Sequence, residues 1–484
     1  MKGIQDRGLW CTRSFVNGQW LEGQRHFAVH NPANGAWLAD VAEAGAEETT
    51  AAVEAAYRAQ QEWARLPAAQ RSKTLMAWHD AMLANIDDLA RILTLEQGKP
   101  LAEAKGEVAY GASYVKWFAE EAVRVYGDTI PGPGPDKRVL VIKQPVGVVG
   151  SITPWNFPNA MMVRKAAPAL AAGCAFVAKP AAETPLSALA VAELARRAGL
   201  PDGVFNVVVG TDAPAIGQVL TQHPHIRKFS FTGSTATGKR LLAQCAEGVK
   251  RTSMELGGNA PFIVFADADL DAAVEGLMLA KFRNAGQTCV CSNRIFVERS
   301  VYEAFAQKVR AAVAGLKVGD GLEPETHIGP LISEQAVSKV AELVSASVAE
   351  GAQAEAVTDV PSQGHYYPPT VLSGVSNRMA VARNEIFGPV LPLIPFDDEA
   401  SVIAEANDSE FGLAAYLYSR DIGRVFRVSE ALEYGMVAVN DGILSNAAAP
   451  FGGMKASGHG REGSKYGLDD YLDIKYLCLG GMDR

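Results

Sequence analysis

The sequence predicts an α/β protein built from two parallel-sheet units in tandem, with a short β-extension at the end. Three observations predict it. Short β-rich segments alternate with helical ones from Val139 onward, and the alternation restarts after Asn259. The chain also has 484 residues, too many for one simple core when a domain averages on the order of 150.

From Glu47 to about Val125, Ala, Leu, Glu, Lys and Arg predominate and apolar residues recur at three- and four-residue spacing. That is the pattern of several amphipathic helices, with Pro100 opening one of them. The run GDTIPGPGPDK, Gly127 to Lys137, predicts a break, because proline lacks an amide proton and glycine adds backbone freedom. VLVIK, VGVVGSI, AFVAK, VFNVVVG and KFSFTG then read as strands, separated by helices such as PLSALAVAELARRAG and ATGKRLLAQCA. The second unit begins with PFIVF, followed by a helix from about Leu270, the strand RIFVE and a helix from about Val301. The tail YLDIKYLCLG, Tyr471 to Gly480, alternates apolar and polar residues and reads as an edge strand in need of a partner, which a second subunit could supply.

Composition excludes several classes. Hydrophobic residues at 48% and charged residues at 20% are ordinary for soluble domains, so disorder does not dominate. A net charge of -9 supplies no basic footprint for nucleic acid or an anionic membrane. The opening MKGIQDRGLWCTRSF lacks the apolar stretch of a signal peptide, and the apolar run around Ala166 to Ala178 ends at Lys179, short of the roughly 18 residues a spanning helix needs. Six cysteines in so long a chain do not make a disulfide framework, so the expectation is a cytoplasmic protein with free thiols.

Three residues stand out chemically. Cys289, in FRNAGQTCVCSNR, is a thiol among small and amide residues. A lone cysteine is most often core filler, and at neutral pH only a few per cent is thiolate, so a nucleophilic role needs donors or cations such as Asn284, Lys165 and Arg283. Glu255, in MELGGNAP, sits beside two glycines that allow close approach. Asn156 lies between the prolines of PWNFP, which hold its backbone and can aim its amide at one point. FSFTGSTATGKR runs from a strand through a Gly-Ser-Thr turn into a helix whose amides can face a phosphate. It nearly matches a P-loop, but Arg240 stands where a magnesium-binding Ser or Thr is required, and no GxGxxG follows a strand elsewhere. A non-standard dinucleotide site remains. The CVC pair has no second ligand cluster, so no metal is expected.

PWNFP, KPAAETP, FTGSTATG, ELGGNAP, NAGQTC, NEIFGPV and PFGGMKASG, in that order and across nearly the whole chain, resemble the signatures of the aldehyde dehydrogenase superfamily. The resemblance implies an aldehyde dehydrogenase-like fold. Residues 1–125 and 146–257 would form a Rossmann-like dinucleotide-binding domain, 258–457 a catalytic domain, and 126–145 with 458–484 an oligomerisation segment of a dimer or tetramer. It further implies Cys289 as nucleophile, Glu255 as the base for the deacylating water, Asn156 with the Cys289 amide as oxyanion hole, and Lys165 as support for the local field. Cofactor contacts would come from Trp155, Lys179, Gly233, Ser234, Glu385 and Phe387.

Within the superfamily the chain is most similar to succinate-semialdehyde dehydrogenases, the enzymes of 4-aminobutyrate breakdown. Arg164 and Arg283 match the arginines that bind the substrate carboxylate there, and Ser457 is expected to be their third partner. Two charge-assisted bonds, each worth about 1.5–3 kcal/mol, would favour a carboxylate over a methyl by roughly two to four decades. A one-carbon-longer glutaric semialdehyde remains an alternative, since a methylene changes binding by only about 1–3 kcal/mol. NADP or NAD is the expected cofactor, NADP slightly favoured, because Ala182 replaces a glutamate that NAD-preferring members use to grip the ribose. Cys291, two residues from the nucleophile, is a candidate redox partner. The rivals are a CoA-acylating enzyme, opposed by Glu255; a cofactor-free thiol hydrolase, opposed by the lack of a His motif near Cys289; and an enzyme-derived structural or binding protein, opposed by the intact Cys289, Asn156 and Glu255.

Overall fold

The computed structural model describes residues 3–483. The helical N-terminal region resolves into Ala46–Arg65, Ala68–Ala84, Ile86–Gln97 and Leu101–Glu121, with Pro100 in extended conformation as the N-cap of the last. Their inner faces bury Trp63, Trp78, Tyr114 and Phe118, and each such side chain contributes on the order of 2–3 kcal/mol by leaving water.

These helices cover an eight-stranded sheet whose five central strands are parallel: Phe205–Val207, Ala175–Lys179, Val148–Ile152, Ile226–Thr232 and Arg251–Glu255. A second, seven-stranded sheet has Ser292–Glu298 and Ala260–Val264 near its middle, parallel to each other and to the flanking Val390–Phe396 and Ala414–Tyr418. Burial on both faces explains why strands such as Ala175–Lys179 (AFVAK) and Ala260–Val264 (APFIV) are near-continuous apolar runs rather than alternating ones.

The third sheet joins Leu472–Leu479 to Arg138–Pro145, which also pairs with Asp128–Ile130. The break expected from Gly127 to Lys137 is therefore partial: Asp128–Ile130 is a strand, and only the proline-rich remainder is irregular. The tail strand finds its partner within its own chain, while it stays at the sheet's edge with Ile474 72% and Tyr476 62% exposed. Gly458–His459, expected in the extension, instead adds to the eight-stranded sheet beside Met254 and Glu255. Only glycine serves at 458: its φ is +106°, and a Cβ there would fall 2.0 Å from the Met254 carbonyl oxygen. Among the described residues, no helix is long and apolar enough to cross a membrane.

Candidate active site

Cys289 lies in the loop between the Arg283–Gly286 turn and the strand Ser292–Glu298. Within the turn Asn284 (φ 52°, ψ 38°) and Ala285 (φ 56°, ψ 30°) are left-handed, a conformation non-glycine residues hold only when their surroundings enforce it. The loop meets the Pro154–Phe157 segment: Asn156 Nδ2 donates to the Gln287 carbonyl at 3.0 Å, and Asn284 Nδ2 donates to the Asn156 carbonyl at 3.0 Å. Among the described residues, Cys289 alone lines both cavities that meet here. One is a cleft of about 630 Å³ and the other a narrow chamber. Burial pushes the thiol up to about 12; Arg164 and, more weakly, Arg283 pull it down, while Glu385 and Glu255 push it further up. The cations acting on the sulfur are thus Arg164 and Arg283; Lys165 is engaged elsewhere.

Lys165 Nζ is ion-paired with Glu462 and lies 3.2 Å from Ser230 Oγ, and Arg164 Nε is ion-paired with the other oxygen of Glu462. All three side chains are buried. Burial raises the Glu462 carboxyl, but Arg164 and Lys165 outweigh it and hold the group below the usual range. Glu255, at the end of its strand, is also buried, and neither carboxylate oxygen makes a hydrogen bond. Burial and then the neighbouring Glu462 hold its carboxyl well above the usual range. Glu255 lines neither cavity. Lys165, through its ion pair with Glu462, bears on the Glu462–Glu255 pair.

The chamber is lined by Arg164, Arg283, Tyr110, Phe157, Phe451 and Ser445, among others. Arg164 is fully buried, stacks on Phe451 at 4.3 Å, and has an Nη2 group without a hydrogen-bond partner. Arg283 stacks on Phe157 at 5.1 Å and its Nη1 donates to Ser445 Oγ at 3.4 Å. Ser457 is not their partner. Its hydroxyl donates to the Gly257 carbonyl at 2.7 Å and accepts from the Gly412 amide at 3.0 Å, so it is a fully buried structural group. Ser445 occupies the expected place. Sequence reasoning chose the serine inside a recognisable motif, whereas Ser445 sits in NDGILSNAAAP, whose only signal is a turn-forming composition. Glu462, in HGREGSK, carried no signal beyond a charge.

On the cleft side, the helix Thr235–Ala246 is N-capped by Ser234, whose Oγ accepts from the Thr237 amide. Gly233, Ser234, Trp155, Glu385 and Phe387 line the cleft, and Trp155 meets Phe387 edge to face at 5.5 Å. A Cβ on Gly238 would lie 2.4 Å from Leu256 Cδ2, so this glycine brings the helix onto the neighbouring loop instead of completing a P-loop. Glu385 accepts from the Gly258 amide at 3.1 Å, and burial pushes its carboxyl up to about 7. Lys179 Nζ donates to the Pro180 carbonyl at 3.1 Å; neither it nor Ala182 lines the cleft, whereas Glu183 does. Next to Ala182, the Glu183 carboxylate is therefore the charged group that this segment brings to the cleft. A large cleft with an exposed helix N-terminus at one end and a carboxylate held by a backbone amide at the other fits a dinucleotide.

Cys291 is buried, and its Sγ donates to the Lys281 carbonyl at 3.5 Å. It lines neither cavity.

The aldehyde dehydrogenase family profile matches residues 20–477, and the chain belongs to that family. The chain is 57% identical to succinate-semialdehyde dehydrogenase [NADP(+)] of Escherichia coli, over 99% of both chains. To glutarate-semialdehyde dehydrogenase of Pseudomonas aeruginosa it is 56% identical, over 99% of this chain and all of the other. To 3-sulfolactaldehyde dehydrogenase of Pseudomonas putida it is 58% identical over the whole of both. The crystal structure of succinate-semialdehyde dehydrogenase from Burkholderia pseudomallei superposes with a TM-score of 0.97 at 55% identity, covering 99% of this chain and 100% of that one.

Proposed function

We propose that this enzyme oxidises succinic semialdehyde to succinate with NADP or NAD. The observation that carries the reading is a fully buried arginine with an unpartnered N–H group, Arg164, lining the same narrow chamber as Cys289, Arg283 and Ser445. A buried donor left without a partner costs about 1–3 kcal/mol, and an anion filling that chamber removes the penalty. The three relatives differ in named substrate, yet each of those aldehydes carries an acid group, so identity alone does not choose among them.

The chain's residues support the chemistry as follows. With the anionic end held by Arg164, Arg283 and Ser445, the carbonyl carbon is presented to Cys289. Once the Cys289 thiol has lost its proton to solvent, attack by the thiolate moves an electron pair onto the carbonyl oxygen, where the Asn156 amide and the Cys289 N–H receive it; one such donor is worth a few kcal/mol in the barrier. Trp155, Gly233, Ser234, Glu385 and Phe387 would hold a nicotinamide dinucleotide in the cleft, with Lys179 behind its wall, and the bound group would supply the hydride acceptor. Once the carbon has lost hydride, a thioester remains on Cys289. Glu255, after ionising and swinging from its buried position, takes a proton from water as it attacks the thioester and returns it to the departing sulfur, releasing the acid and the thiol.

We assign the eight-stranded sheet and its helices to dinucleotide binding, the seven-stranded sheet to catalysis, and the three-stranded sheet to subunit contacts in a dimer or tetramer. Absorbance of reduced dinucleotide, measured with succinic, glutaric and unsubstituted butyric aldehydes crossed with both dinucleotides, tests the reading. Succinic semialdehyde is expected to lead by two or more decades over butyraldehyde; equal efficiencies refute the substrate. A lead for 3-sulfolactaldehyde over succinic semialdehyde would shift the assignment to a sulfonate.

A further inference from the structure

One helix and the lysine before it grip both halves of the reacting centre. Lys99 Nζ donates to the Asn156 carbonyl at 2.8 Å, is ion-paired with Glu107, and lies 3.8 Å from the centre of the Phe157 ring. Phe157 thus has a cation near it from each of two segments, Lys99 and Arg283. The other oxygen of Glu107 accepts from the Asn159 and Ala160 amides at 3.0 and 3.2 Å, in the first turn of the helix Pro158–Ala172 that carries Arg164 and Lys165. One turn earlier, Glu103 accepts from the backbone amide of Asn284 at 2.7 Å, the left-handed residue at the start of the Cys289 loop. Asn284 closes the ring by donating its side-chain amide to Asn156. Glu103, Glu107, Tyr110 and Tyr114 recur at helical spacing on the face of Leu101–Glu121, and Tyr110 also lines the substrate chamber.

We propose that Lys99, Glu103 and Glu107 are positioning residues which hold the Asn156 amide and the Cys289 sulfur in mutual register for acylation. The proposal rests on the roles given above to Asn156 and Cys289. None of the three carboxylate and ammonium groups lines the cleft or the chamber, so none touches the reacting atoms. Their effect runs through two backbone groups, the Asn156 carbonyl and the Asn284 amide, and a misplacement of about 1 Å between reacting groups can cost on the order of a hundredfold in rate. Charged partners suit the task because hydrogen bonds to an ionised group are shorter and stronger than neutral ones and so fix the two backbone groups more firmly.

Single turnover with enzyme in excess over succinic semialdehyde, followed by absorbance of reduced dinucleotide, separates positioning from folding. Glu103→Ala should slow the rate at least tenfold while the amplitude per folded subunit and the dinucleotide affinity stay unchanged. Glu103→Gln keeps a carbonyl oxygen for the Asn284 amide and should return to within about threefold of the parent. A merely structural role predicts the reverse, lower amplitude and lower Tm at an unchanged rate, and that result overturns the proposal. Should Glu103→Ala not fold, the paired change Lys99→Met with Glu107→Gln removes both charges together, leaves no unpaired buried ion, and is judged by the same rate criterion. Unslowed single turnover in Asn156→Ala would instead defeat the oxyanion role, and the proposal with it.

Discussion

Replacing Arg283 by alanine isolates the substrate's charged end from everything else in the site. Arg283 is the better choice of the two arginines. Arg164 is fully buried and shares Glu462 with Lys165, so its removal would take one of two cations from a buried carboxylate and confound the kinetics with stability. Among the described residues no carboxylate forms an ion pair with Arg283, whose charge is felt at a distance by Glu103; it contacts Ser445 Oγ and the Phe157 ring. One charge-assisted hydrogen bond is worth about 1.5–3 kcal/mol, which at about 1.4 kcal/mol per decade is roughly a ten- to 150-fold loss in kcat/KM for succinic semialdehyde. Butyraldehyde has no anion to lose and should change by less than about threefold. Both are read from initial rates of dinucleotide reduction at fixed, saturating cofactor. An equal proportional loss on the two aldehydes would show that Arg283 supports the Cys289 loop and does not read the substrate, and the anion-chamber argument would fail.

Four further outcomes follow from the same geometry. Ser445→Ala should raise KM for the acid substrate several-fold at an unchanged Tm, while Ser457→Ala should lower stability by about 1–3 kcal/mol with the specificity ratio untouched; the opposite pattern restores Ser457 to the chamber. Because burial holds the resting Cys289 thiol at about 12, its thiolate fraction grows with pH, and alkylation by iodoacetamide without cofactor should climb about tenfold per pH unit from 7 to 10; a plateau near neutrality contradicts this. Glu255 sits well above the usual carboxylate range, so its ionised fraction, and with it deacylation, should still be increasing with pH above that range; Glu255→Gln should flatten that limb and cut steady-state turnover by about 10²–10⁴ while single-turnover hydride release persists. Glu183→Gln should raise the NADP-to-NAD ratio of kcat/KM about three- to tenfold, and an unmoved ratio would mean that this carboxylate does not meet the ribose phosphate.

What the sequence determined by itself is the part governed by local chemistry. Apolar runs such as AFVAK and PFIVF became central parallel strands because burial on both faces requires them to be apolar throughout, and Ser234 caps its helix because the turn residues allow little else. The motifs likewise single out Cys289 and Asn156. The tertiary structure alone decided where charges and hydroxyls point. Lys165 meets Glu462 across 297 positions, and Ser457 meets Gly257 across 200. The rotation of a side chain about its own backbone, and the partner waiting there, are set by packing between distant segments. That is why Ser445 replaced Ser457, why Glu183 faces the cleft where Ala182 does not, and why Cys291 was spent on the Lys281 carbonyl. Spacing along a chain specifies period and turn, but the direction of a buried dipole is a long-range electrostatic choice.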